Sequence, residues 1–204
     1  MKKAFVFLLC IVCLAGCTAA AGTKSDARTY YDSLALDTPE AAAQSFITAF
    51  QASDFQTVYL ILSPRAQRTW KENYAQLNWP LIFRVKNQKE VDAILENTAI
   101  AQGKFEHSGE TSYEFDELML AAQTHDLLLV DLGGKLTVQS TQEARDTVGN
   151  PATDVIIQSS RYDEPLVFRM VQAPSGKWRV YQVIIPGGNE DYVPWAVRDV
   201  SFED

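Results

Sequence analysis

Apolar residues recur at helical intervals through the first two thirds of the chain and alternate in short runs through the last third. Thr38 and Pro39 open a helix whose stripe is Ala43, Phe46, Ile47 and Phe50. Asp54 starts a second, with Phe55, Val58, Tyr59 and Leu62 on one face, and Ser63-Pro64 begins a third that carries Trp70, Tyr74 and Leu77 until Trp79-Pro80 breaks it. Leu81 to Val85 has the length of an edge strand. Gln88 to Gln102 returns to helical spacing, with Gly103 placed to end it. Thr111 and Glu114 are spaced as a capping box, and Phe115, Leu118, Met119, Ala122, Leu129 and Val130 continue the helical period to Gly133-Gly134. Over Leu127 to Leu132 a buried strand fits the pattern equally well.

After Gly134 the period changes. Leu136 to Val148, Thr153 to Ser160, Leu166 to Ala173 and Trp178 to Ile185 read as strands, separated by Gly149-Asn150-Pro151, Asp163-Glu164-Pro165 and Pro174-Ser175-Gly176. Connections this short imply an antiparallel meander. Beyond Pro186-Gly187-Gly188, the residues Tyr192, Trp195 and Val197 supply enough apolar surface for the tail to fold back. Helices first and a meander last predict an α+β domain with the helices packed on one face of the sheet.

One apolar run fits neither period. Ala4 to Leu14 follows Lys2 and Lys3 and is eleven residues long, against roughly 20 for a helix that spans a bilayer. A short basic region, an apolar run of this length and small residues after it are the parts of a secretory signal. The closing Leu14-Ala15-Gly16-Cys17 resembles the lipobox of bacterial lipoprotein precursors. That resemblance implies alkylation of the Cys17 thiol by a diacylglycerol group and cleavage before it, with residues 1–16 as signal peptide. A cut after Ala21, where Ala19-Ala20-Ala21 also satisfies the small-x-small rule, would instead release a secreted protein. Cys10 and Cys13 spell Cys-x-x-Cys, but both lie inside the signal. The mature chain therefore has neither a disulfide framework nor a thiolate metal site. Residues 17–37 read as a lipidated tether, in which Tyr30, Tyr31, Leu34 and Leu36 are candidates to dock on the domain, and residues 38–204 as a single domain.

Charge narrows the partners. Without Lys2 and Lys3, 16 basic residues stand against 26 acidic ones, a net charge near -10 that repels phosphate backbones and anionic headgroups. Nucleic acid is not an expected partner, and membrane attachment rests on the lipid at Cys17. The domain is expected outside the cytoplasm, tethered to a cell membrane or an outer membrane. Thr18 departs from the Asp that, in double-membraned bacteria, resembles an inner-membrane retention signal.

Thr38-Pro39-Glu40-Ala41-Ala42 with Phe46 and Phe50, then Ser53-Asp54-Phe55, resembles the opening of nuclear-transport-factor-2-like domains. Gly176-Lys177-Trp178-Arg179-Val180 resembles the start of their final strand. The resemblance implies a cystatin-like roll in which a curved sheet wraps a long helix around a conical pocket. Its members include isomerases, dehydratases and dimerisation modules, so a homodimer is among the assemblies it implies. A helix from Thr111 to Leu132 would be an insertion relative to that pattern.

Candidate chemistry is sparse. His125 reads as a packed or partly buried histidine and His107 as a solvated one. Asp116, Glu117 and Asp126 have carboxylates at helical spacing without a diagnostic metal pattern, and Gly133-Gly134-Lys135 lacks the remaining positions of a phosphate loop. No metal or cofactor is expected. Trp70, Tyr74, Trp178 and Tyr181, with Arg169 as a polar handle, are the candidate lining of an apolar pocket. The first reading is a non-catalytic envelope lipoprotein that binds a partner protein or small ligand. The alternative is a small cofactor-independent lyase or isomerase, which would need a carboxylate or histidine of raised pKa beside a tyrosine in that pocket.

Overall fold

The computed structural model describes residues 33–96, 98, 111–188, 190 and 195–197. The apolar run expected as a signal, Cys17, Tyr30, Tyr31, Gly103, His107 and Tyr192 lie outside them. Among the described residues five helices precede the sheet: α1 (Pro39–Gln51), α2 (Phe55–Ile61), α3 (Pro64–Ala75), α4 (Gln88–Glu96) and α5 (Thr111–Thr124). The strands follow as β1 (Leu136–Arg145), β2 (Pro151–Ser159), β3 (Leu166–Gln172) and β4 (Trp178–Ile184), an antiparallel meander in sequence order. A two-residue β5 (Ala196–Val197) adds to β4 in parallel. The domain is α+β.

Local chemistry starts the first three helices. The Thr38 hydroxyl accepts from Ala41 N at 3.1 Å, the Asp54 carboxylate from Thr57 N at 3.1 Å, and Ser63 Oγ from Ala66 N at 3.2 Å. Each cap satisfies an amide that the first turn leaves without a partner. The far ends of α1, α3 and α5 carry no glycine signal in the sequence. Ser53, Leu77 and Asp126 take left-handed φ values of 56°, 57° and 57°. Asp54 N then reaches back to Ala49 O, Asn78 N to Asn73 O and Leu127 N to Ala122 O, the six-to-one bond of a Schellman cap, here without glycine.

Two expectations fail for that reason. Leu77 is not on the buried face of α3 but beyond its end, 64% exposed. The helix expected to reach Leu132 stops at Thr124, which leaves His125 exposed in the turn instead of packed. The apolar residues after it form no named strand. Leu128 makes an isolated antiparallel bridge to Phe83, and Arg84 N donates to Leu127 O at 2.7 Å. The stretch expected as an edge strand contributes that bridge after a 3₁₀ turn over Trp79–Leu81.

Alternation divides the sheet into two faces. Val155 and Ile157 of β2, Phe168 and Met170 of β3, and Val180 and Val183 of β4 are buried on the face that receives the helices. Phe46 of α1 meets Phe168 edge-on at 5.6 Å between ring centres. Trp195 returns from the tail to pack with Phe46 and Phe50 and is fully buried, as its apolar surface predicts. The outer face carries Asp154, Arg169 and Gln182 in register across β2, β3 and β4. Opposite Arg169, β4 has one extra residue, Tyr181, a bulge that keeps Tyr181 and Gln182 on this face together. Glu190 lies over the row, bonded to Arg169 at 3.2 Å and, through its carbonyl, to Gln182 at 3.1 Å.

Candidate functional site

A groove of about 1180 Å³ lies at the end of the sheet where the β1–β2 hairpin turns. One wall is the start of α3, with Ser63, Pro64, Arg65 and Arg68, and the other is the hairpin from Glu143 to Thr153. Val171, Trp178 and Tyr181 complete the lining from β3 and β4.

The α2–α3 junction is fixed to β4, and this places the helical wall. Ser63 N donates to Val180 O at 2.7 Å, Leu62 bridges Val180 in parallel, and Arg179 Nη1 donates to Leu60 O at 2.5 Å. Trp178 is held from the other side, its N–H bonded to Leu36 O at 2.8 Å. Leu36 is buried and Leu34 packs against the core, so the segment just before α1 docks on the domain.

The hairpin wall is shaped by Asp146. Its carboxylate accepts from Val148 N at 3.0 Å, Asn150 N at 2.8 Å and Asn150 Nδ2 at 3.0 Å, while Gly149 takes a φ of +88° that only glycine adopts freely. Burial alone would raise the Asp146 pKa, but the Asn150 and Val148 hydrogen bonds and the charge of Arg65 outweigh it and hold the carboxyl below its ordinary range. At the tip, the Thr147 and Tyr181 hydroxyls meet at 2.6 Å, which ties hairpin to floor. The Arg65 guanidinium sits over the Tyr181 ring, 5.9 Å from its centre.

The five residues expected to share a pocket do not share one. Trp178 and Tyr181 line the groove. Trp70 is a core residue, stacked on Tyr74 at 5.3 Å and edge-on to Phe115 at 5.1 Å. Tyr74 is half-buried beside it, its phenol pKa pushed up by burial and by the charges of Glu114 and Glu117. Arg169 is spent on the covered row of the outer face, bonded to Asp154 and Glu190.

The residues that sequence reasoning missed are Arg65, Arg68 and the hairpin's Asp146, Val148 and Asn150. A signal existed for the arginines: both fall in the opening turns of a helix, the end that favours acids. Neither makes an ion pair among the described residues.

The other candidates stay apart. Asp116 is half-buried and its pKa is raised, burial outweighing hydrogen bonds from Gln56 and the Phe55 amide. It lines neither this groove nor the smaller crevices beside Gln51 and Leu34. Asp126 pairs with Arg84 at 2.9 Å on the surface. Gly134 ends the loop before β1 with φ +75°, its carbonyl accepting from Gln51 Nε2 at 3.0 Å, so the Gly-Gly-Lys segment serves chain geometry. Among the described residues no three His, Cys, Asp or Glu gather as metal ligands, and no helix is long and apolar enough to cross a membrane.

No protein-family model, curated protein or solved structure matches the chain. The groove must therefore be interpreted from its own chemistry.

Proposed function

We propose that the chain is a lipid-anchored protein of the cell envelope whose domain binds a partner protein or small ligand in this groove and does no chemistry on it. The observation that carries the binding role is the groove itself: an open site whose walls mix charged and apolar residues over an aromatic floor, built from four segments of the chain. Its carboxylates suit binding better than catalysis. Asp146 is occupied by its own turn, whose hydrogen bonds hold its carboxyl below the ordinary range, so it lacks the raised pKa of an acid–base catalyst at neutral pH. Attachment rests on the leader, where Leu14-Ala15-Gly16-Cys17 closes an apolar run of signal length. The α+β order of helices and meander is also the basis for reading the domain as a nuclear-transport-factor-2-like roll behind a cleaved signal. Removal of the leader leaves Cys17 as the anchor.

Ala144 is half-buried in the groove lining, so Ala144→Trp fills the groove without displacing a core residue. Thermal-shift screening of small molecules and peptides against the full chain in detergent should give ligands that lose their effect in Ala144→Trp. A set of ligands indifferent to the substitution, or no ligand at all, would overturn the binding role. Cys17→Ser is expected to abolish membrane association and lipid labelling, and retention of both would overturn the anchor.

A further inference from the structure

We infer that the groove takes an extended acidic peptide segment of a partner protein, with two carboxylates at alternate residues; this rests on the binding role proposed above. Arg65 and Arg68 carry the inference. The chain has a net charge of -8 over its full length, with 26 acids available, yet these two exposed guanidinium groups make no ion pair among the described residues. They also stand in the opening turns of α3, where the first turn holds no acid and the helix dipole disfavours positive charge. Negative charge brought by a partner would relieve both conditions.

Spacing selects the form of the partner. Residues three apart on a helix have their Cβ atoms about 5–6 Å apart. Alternate residues of an extended strand, at about 3.3 Å rise each, present side chains on one side about 6.6 Å apart. An acid-x-acid segment therefore matches Arg65 and Arg68 one to one. The residue between the acids points the other way, toward the hairpin wall, where Val148 is 61% exposed and Pro151 lines the groove. An apolar residue there completes the match. The groove also exceeds the ~300–1,000 Å³ of common small-molecule sites, as a bound stretch of chain requires.

The test uses the full chain in detergent and three labelled decapeptides that differ only at their centre: Asp-Val-Asp, Asn-Val-Asn and Asp-Gly-Asp in a Gly-Ser background. Fluorescence anisotropy should show the first binding about five- to tenfold tighter than the second, the size expected of two exposed ion pairs. Its affinity should fall as salt rises from 50 to 300 mM and should drop to the level of the Asn peptide in Arg65→Gln/Arg68→Gln. Both arginines are exposed, so that variant is expected to keep the wild-type melting midpoint and circular dichroism. Equal binding of the Asp and Asn peptides, or binding unmoved in the double variant, would overturn the inference. Competition by succinate at the concentration of the peptide would overturn the peptide form in favour of a small dianion. If both peptides bind alike and both are lost in Ala144→Trp, the acidic preference fails while the groove stands as a binding site. If neither binds while other ligands remain sensitive to Ala144→Trp, this inference alone fails.

Discussion

Asp154 and Arg169 face each other across β2 and β3 through two parallel hydrogen bonds, Nε to Oδ1 at 2.8 Å and Nη2 to Oδ2 at 2.9 Å. Both side chains are nearly removed from solvent, on the sheet face opposite the hydrophobic core. The Asp154 hydrogen bonds and charge raise the Arg169 pKa above its already high ordinary value, so the guanidinium stays charged in spite of its burial. A forked pair of this geometry compensates desolvation only while both halves are present.

Asp154→Ala leaves Arg169 with the more exposed Glu190 alone, and is expected to cost about 3 kcal/mol of folding stability. The joint replacement Asp154→Leu/Arg169→Met should recover most of that loss, because two apolar side chains leave no charge stranded. Urea denaturation of the wild type, the single variant and the double variant checks both expectations. A double variant no more stable than the single one would contradict the account of an uncompensated charge.

Leu77 is held at φ 57° to end α3, with its side chain mostly in solvent. A residue with a Cβ pays about 1–2 kcal/mol for that conformation, against which glycine's larger loss of chain entropy is about 0.4–1 kcal/mol. Leu77→Gly should therefore stabilise the domain by about 0.5–1 kcal/mol, and Leu77→Val, branched at Cβ, should destabilise it. Thermal and urea midpoints of the two variants should move in opposite directions.

Asp116 of α5 accepts from the Phe55 and Gln56 amides at the start of α2, and burial raises its pKa above the ordinary carboxyl range. A carboxyl whose folded pKa is raised contributes stability that is fully present below its unfolded pKa and is lost as pH rises through the folded value. Relative to Asp116→Asn, the wild type should thus gain stability as the pH is lowered from about 7 to about 3.5. Parallel denaturation series at the two pH values read this difference. A difference independent of pH would show that the carboxyl titrates alike in the folded and unfolded chains.

What could be read in the sequence was local. Thr38, Asp54 and Ser63 cap helices because a short polar side chain reaches amides two or three residues ahead, and such geometry needs no distant partner. The hairpin at Pro174-Ser175-Gly176 is of the same kind, closed by Ala173 N to Lys177 O at 2.8 Å. The ends of α1, α3 and α5 were less legible, because Ser53, Leu77 and Asp126 occupy the place where glycine is the usual sign. The division of the five expected pocket residues was not legible at all. Periodicity ranks Trp70 and Trp178 alike as apolar, and only packing buries the first among Tyr59, Tyr74 and Phe115 while leaving the second on a groove wall.

The chain by itself determined helices before sheet, an acidic composition and an eleven-residue apolar run shortly before Cys17. Tertiary structure decided where the groove lies, since it joins residues 63–68 to residues 143–153 and 171–181, and no pattern within any one of those stretches encodes the others. It also decided that Arg169 pairs with Asp154 while Arg65 and Arg68 line the groove without an ion pair among the described residues. Charge is a property of residues, but its compensation depends on distance, and distances between remote segments exist only once the sheet and its helices have packed.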